Sequence, residues 1–132
     1  MKTLGRHVLV ELYNCDPATI RNVRKIEDIM VGAAKAAKCH IVDVVFHNFN
    51  PHGISGVVVI AESHLAIHTW PEYSFASIDI YTCGNEVDPW KAYSYLLRHF
   101  KAKGVTALEL KRGMLPASGR RRSSPNLALS PS

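Results

Sequence analysis

The sequence predicts an α+β fold, a two-layer sandwich in which helices cover one face of an antiparallel sheet. Three observations carry this. Two Asp-Pro pairs, Asp16-Pro17 and Asp88-Pro89, each precede a stretch with apolar residues at helical spacing. Short β-branched or alternating runs lie around them, as strands require. The resulting order is β-α-β-β…β-α-β, with no internal repeat.

Each element follows from its residues. His7 to Tyr13 reads as a strand with Val8, Val10 and Leu12 on one face. From Pro17 to about Lys38, Val23, Ile26, Met30, Ala33 and Ala37 mark one amphipathic helix. Ile41 to Phe46 is strand-like. After a turn around Asn50-Pro51-His52-Gly53, Val57 to Ile60 reads as a buried strand. Ser77 to Thr82 alternates as another. Tyr93, Leu96, Leu97 and Phe100 form the stripe of the second helix, which Gly104 is expected to stop, and Val105 to Leu110 is the last strand.

A chain of 132 residues suits one compact domain, assigned to residues 1–115. From Pro116 the sequence is polar, basic and rich in Ser and Pro, the composition of a mobile tail over residues 116–132. The net charge of +5 invites a nucleic-acid reading. However, Arg112, Arg120, Arg121 and Arg122 sit near the C-terminal end, and without those four the chain holds 12 basic against 11 acidic residues. A solvated basic end explains the charge, and no nucleic-acid partner is expected. No apolar run approaches the ~20 residues of a membrane span, and the N-terminus lacks a cleavable signal pattern. A cytoplasmic location is expected. Cys15, Cys39 and Cys83 share no CxxC spacing, so neither a disulfide framework nor a cysteine zinc module is indicated.

The informative stretch is Ser55-Gly-Val-Val-Val-Ile-Ala-Glu62-Ser63-His64-Leu65-Ala66-Ile67-His68-Thr69-Trp70-Pro71-Glu72-Tyr73, followed by Asp79-Ile-Tyr-Thr-Cys83-Gly84. Polar Glu62-Ser63-His64 interrupt an apolar run. Strand parity puts His64, Ala66, His68 and Trp70 on the face opposite Leu65 and Ile67. Spacing alone leaves three readings open. One is a zinc site from His64, His68 and Cys83 with His47, although no HExxH or paired-cysteine spacing accompanies it. Another is a hydrolase with Ser63 or Cys83 as nucleophile and His68 as base, although the Gly-x-Ser-x-Gly elbow is missing. The third treats these side chains as satisfied polar or small core groups. That bland reading is adopted for His7, His40, His52, His99, Cys15 and Cys39.

The same stretch resembles the prokaryotic S-adenosylmethionine decarboxylase proenzymes, and the likeness runs from Leu4-Gly-Arg-His through Thr82-Cys-Gly and Val87-Asp-Pro-Trp, leaving out the end after about Leu115. The resemblance implies self-cleavage between Glu62 and Ser63, giving chains 1–62 and 63–132. Ser63 attacks the Glu62 carbonyl, and loss of its α-proton leads to a pyruvoyl group, a cofactor made without metal or pyridoxal phosphate. His68 matches the family's processing base, a role that suits an imidazole near neutral pH. Ser55 matches a serine that assists processing. The pyruvoyl ketone holds the substrate amine as a Schiff base and acts as an electron sink. Cys83 matches the proton donor. Phe49 matches an aromatic that stacks on adenine, Glu72 an acid that accepts ribose hydroxyls, and Leu65 and Trp70 are neighbours of that pocket, although core packing explains these two equally well. The resemblance implies a zymogen whose cleaved protomers form a homodimer, with each site at the subunit interface. The implied enzyme decarboxylates S-adenosyl-L-methionine, supplying the aminopropyl donor for spermidine synthesis in polyamine biosynthesis. Ser74-Phe75 stands where close relatives often carry Gly-Tyr. On substrate, a pyruvoyl-dependent arginine or ornithine decarboxylase is therefore kept as the alternative, and a non-catalytic relative that kept the fold is the opposing class of reading.

Overall fold

The computed structural model describes residues 2–49, 51–61 and 63–116. The elements are β1 (Lys2–Tyr13), α1 (Pro17–Ile20), α2 (Val23–Ala36), β2 (Ile41–Asn48), β3 (Ile54–Ile60), β4 (Ser63–Trp70), a 3-10 turn (Pro71–Tyr73), β5 (Phe75–Cys83), α3 (Pro89–Phe100) and β6 (Gly104–Leu115). The six strands form one sheet in the order β2-β3-β4-β5-β1-β6, and every neighbouring pair is antiparallel. Helices α2 and α3 pack on the same face, α2 over β2 and β3 and α3 over β1 and β5. The expected two-layer α+β sandwich is what forms.

Alternation along the strands builds the core. Val8, Val10 and Leu12 of β1, Leu65 and Ile67 of β4, and Ile78 and Ile80 of β5 are fully buried under the helices, against Ile26, Met30, Leu96 and Phe100. The opposite parity points to a sheet face that no helix among the described residues covers. The cross-strand pairs His64↔Tyr81↔His7↔Leu110 and Ala66↔Asp79↔Leu9↔Leu108 run across it. Leu108 and Leu110 are about half exposed there.

Several boundaries differ from the sequence reading. The single helix from Pro17 to Lys38 is two. Asp16 caps α1, accepting from the Thr19 N–H (3.2 Å) and hydroxyl (2.8 Å), but Asn22 is extended and caps a new helix through the Lys25 N–H (3.1 Å). A second capping side chain inside an apolar pattern restarts the helix. The helix α3 ends at Lys101, which adopts the left-handed conformation (φ 52°), and Gly104 opens β6 instead of stopping the helix. The last strand continues to Leu115, so Arg112 belongs to the sheet. The tail assigned to residues 116–132 lies outside the described residues apart from Pro116. No helix among the described residues is long and apolar enough to cross a membrane.

Candidate active site

The residues singled out by sequence fall at the two ends of β4. At its C-terminal end, Ser55 and His68 are direct cross-strand partners, and Ser55 Oγ lies 2.8 Å from His68 Nδ1. Both side chains point to the uncovered sheet face, as the parity argument required, and His68 is exposed. Beside them is a cavity of about 300 Å³ lined by Phe49, His52, Gly53, Ile54, Ser55, His68, Thr69, Trp70 and Glu72. Its wall is held from behind. The buried Thr69 hydroxyl accepts the Ile54 N–H at 2.9 Å, and the Phe49 N–H bonds to Gly53 O at 2.8 Å. Gly53 has φ 106°, which a residue with a side chain adopts only with strain. Pro71 turns the chain after β4, so that Glu72 faces back to the cavity mouth, 3.9 Å from His52 Nε2.

Aromatic surface is exposed at this end. The Phe49 ring packs on His47 (4.4 Å between centroids) and Trp70 packs on Phe75 (5.4 Å), yet both Phe49 and Trp70 keep more than 40 % of their surface accessible. Leu65 behaves differently. It is fully buried beneath the helices, on the other face of β4, and does not line the cavity. Core packing accounts for it. His52, given a bland reading, is a cavity residue, and the turn Asn50-Pro51-His52-Gly53 beside Phe49 was the signal available for it.

At the N-terminal end, Ser63 opens β4 opposite Ile60 and is partly exposed. The adjoining Ala61 N–H is tied to His40 O at 2.9 Å. Glu62, the other half of the expected cleavage bond, lies outside the described residues. β4 begins alongside the end of β5, where His64 pairs with Tyr81, so Ser63 and Cys83 share this end of the sheet. Cys83 is half-buried and pairs with Gly5 of β1. Of the other thiols, Cys15 is buried in the core, which pushes it up to about 11, and burial also raises Cys39.

The two ends are well separated. Ser63 and His68 are five residues apart on one unbroken strand, about 16 Å at the rise of a β-residue. His64 and His68 are about 13 Å apart on the same scale. The zinc ligand set therefore does not converge, and among the described residues no group of three His, Cys, Asp or Glu could hold a metal ion. A hydrolase in which His68 activates Ser63 or Cys83 of the same chain meets the same distance.

Comparison with known proteins adds the context. The S-adenosylmethionine decarboxylase family profile matches residues 6–113. The S-adenosylmethionine decarboxylase proenzyme of Pelotomaculum thermopropionicum is 54% identical over 116 residues, covering 88% of this chain and 92% of the relative. That of Acetivibrio thermocellus is 55% identical over 114 residues, covering 86% and 92%. The crystal structure of the adenosylmethionine decarboxylase from Aquifex aeolicus superposes with a TM-score of 0.85 at 36% identity, covering 92% of this chain and all of that one.

Proposed function

The chain belongs to the S-adenosylmethionine decarboxylase family, and from that premise we propose that it is a self-processing enzyme whose working site is assembled from the opposite ends of two copies of β4. It is a pyruvoyl-dependent decarboxylase of S-adenosyl-L-methionine, and its product is the aminopropyl donor for spermidine synthesis. Relatives at 54% and 55% identity are S-adenosylmethionine decarboxylase proenzymes, which favours that substrate over arginine or ornithine and a catalytic over a non-catalytic chain.

The observation that carries the proposal is the placement of the Ser55–His68 pair beside a nucleoside-sized cavity, remote from Ser63 in the same chain. Removal of the Ser63 α-proton needs a base within hydrogen-bond reach, and His68 about 16 Å along the strand cannot supply it in cis. A second copy related by a two-fold axis presents its His68 end to this chain's Ser63 end, and the reciprocal contact forms the second site. The uncovered sheet face supports this homodimer, because half-exposed Leu108, Leu110 and Val45 lie on it with no helix of the described residues against them.

The chemistry follows residue by residue. The Ser63 hydroxyl attacks the Glu62 carbonyl, exchanging the peptide bond for an ester and freeing the Ser63 amine. Ser55 Oγ accepts the Nδ1 proton of His68 and leaves Nε2 of that ring free to take the α-proton. Elimination releases the Glu62 carboxylate, and hydrolysis with loss of ammonia completes the group, giving chains 1–62 and 63–132. The residues present suit a pyruvoyl group: Ser63 is partly exposed at a strand start that shares its end of the sheet with the Cys83 thiol. When formed, the group supplies a carbonyl that accepts the substrate amine and draws electrons as CO2 leaves. Phe49 and Trp70 offer flat faces for adenine. Glu72 accepts the ribose hydroxyls, and Cys83 returns a proton to the substrate carbon.

Intact mass spectrometry tests this. Wild type should resolve into two chains and release CO2 from S-adenosyl-L-methionine, whereas Ser63→Ala should remain one chain without activity. Uncut wild type after prolonged warm incubation would overturn the reading.

A further inference from the structure

Cys83 does not stand alone on the uncovered sheet face. Tyr81, two residues earlier on the same strand and the same face, is held from several sides. His7 stacks on its ring (5.3 Å between centroids, 24° between planes) and His64 meets it edge-on at 5.9 Å. The Arg112 guanidinium lies over it, 5.1 Å from the centroid. Arg112 also donates to His7 Nδ1 at 3.0 Å, so one of the ring's supports is itself braced across β1 and β6, while His7 Nε2 lies 3.3 Å from Asp79 Oδ1 without a hydrogen bond. The remaining side is β1 backbone. A Cβ placed on Gly5 would lie 2.7 Å from Tyr81 Cε1 and 3.2 Å from Cys83 Sγ. The ring and the thiol therefore share a slot that exists because position 5 has no side chain.

We infer that Tyr81, seated in the Gly5 slot, is a positioning residue that sets the direction from which the Cys83 thiol delivers its proton. This deepens the proposed function and rests on its assignment of Cys83. A thiol on a single rotatable bond has three staggered positions, and a fixed ring beside Sγ removes part of that freedom. Direction matters because two carbons compete for the proton. Protonation of the substrate carbon gives product. Protonation of the pyruvoyl-derived carbon, followed by hydrolysis, moves the substrate nitrogen to the chain, leaving an alanyl terminus and releasing an aldehyde. Tyr81 touches neither carbon and acts only through the thiol.

The experiment measures, by mass, the alanyl fraction of the 63–132 chain after equal numbers of turnovers, with self-cleavage and thermal midpoint recorded beside it. Tyr81→Ala should cleave itself normally yet form alanyl ends about tenfold more often per turnover, the scale of effect expected for a misplaced proton donor. Tyr81→Phe, which keeps the ring, should stay within about twofold of wild type, and Gly5→Ala should resemble Tyr81→Ala because its methyl displaces the ring. In the uncleaved Ser63→Ala background, Tyr81→Ala should also change the rate at which iodoacetamide alkylates Cys83. Cys83→Ala, run in parallel, separates the two ideas. If it raises the alanyl fraction and a folded, cleaved Tyr81→Ala does not, the positioning role is wrong and the donor stands. If Cys83→Ala itself leaves the alanyl fraction unchanged, the donor assignment falls and this inference falls with it.

Discussion

The two ends of β4 are made of similar material but are in different states of completion. At the His68 end, base, hydrogen-bonding serine, aromatic faces and carboxylate surround one cavity, all supplied by the connection between β2 and β3, by β3 and β4, and by the turn after β4. At the Ser63 end, the residue to be modified has a thiol on a neighbouring strand, while His68, which matches the family's processing base, lies about 16 Å away along β4. One protomer thus carries the tools at one end and the workpiece at the other. Antiparallel pairing explains why: a hairpin strand that begins at Ser63 must carry His68 about 16 Å away, and no side-chain rotation recovers that distance.

The largest expected effect concerns the tool end. His68→Ala should slow appearance of the 63–132 chain by about a thousandfold, in the range seen when a general base is lost, and hydroxylamine should cleave any ester that accumulates. Ser55→Ala should slow it by roughly tenfold, the loss of one hydrogen bond to the ring. If Ser55→Ala processed at the wild-type rate, the Ser55–His68 contact would be incidental. Glu72→Gln should process normally and raise KM for S-adenosyl-L-methionine by about tenfold through weaker ribose contacts. An unchanged KM would remove Glu72 from the cavity's function.

A smaller effect calibrates the comparison, because it comes from the helix-covered layer, on the other face of the sheet from both ends. Arg6 holds Glu109 with two contacts (2.8 and 3.0 Å) and Trp90 Nε1 donates to it at 2.7 Å. Chiefly the Arg6 bond, then the Trp90 bond, lowers the Glu109 carboxyl to about 2 from 4.5. A lowered carboxyl stabilises the fold above its unfolded value, and that contribution fades as pH falls from 4.5 towards 2. Glu109→Gln should therefore lower Tm at neutral pH and show a shallower loss of Tm over that acid window, with self-cleavage at pH 7 unaltered. Parallel Tm curves would show that the clamp contributes nothing.

Local signals were the legible ones. Asp-Pro caps located both helix starts, and the alternation through His64–Trp70 placed His68 on the uncovered face, because each depends on neighbours a few residues away. Asn22 was passed over because an apolar pattern continued through it. What the sequence hid depends on strand register. Arg112 reads as part of a basic tail until β6 pairs with β1 and brings it to His7, 105 residues distant. His7 and His52 look unremarkable until the first braces Tyr81 and the second lines the cavity. The gap between Ser63 and His68 was present in their spacing, but it acquires meaning only once β4 is seen to run unbroken between them.

The central claim, that each site takes Ser63 from one copy and His68 from the other, has a direct test. Ser63→Ala and His68→Ala chains, each uncut by itself, are co-expressed with different tags and purified as the doubly tagged dimer. That dimer contains one intact combination, Ser63 of the His68→Ala chain with His68 of the Ser63→Ala chain. The account predicts that the His68→Ala chain is cleaved at its Glu62-Ser63 bond while the Ser63→Ala chain stays whole. A doubly tagged dimer in which both chains remain uncut, under conditions where wild type processes fully, would contradict it.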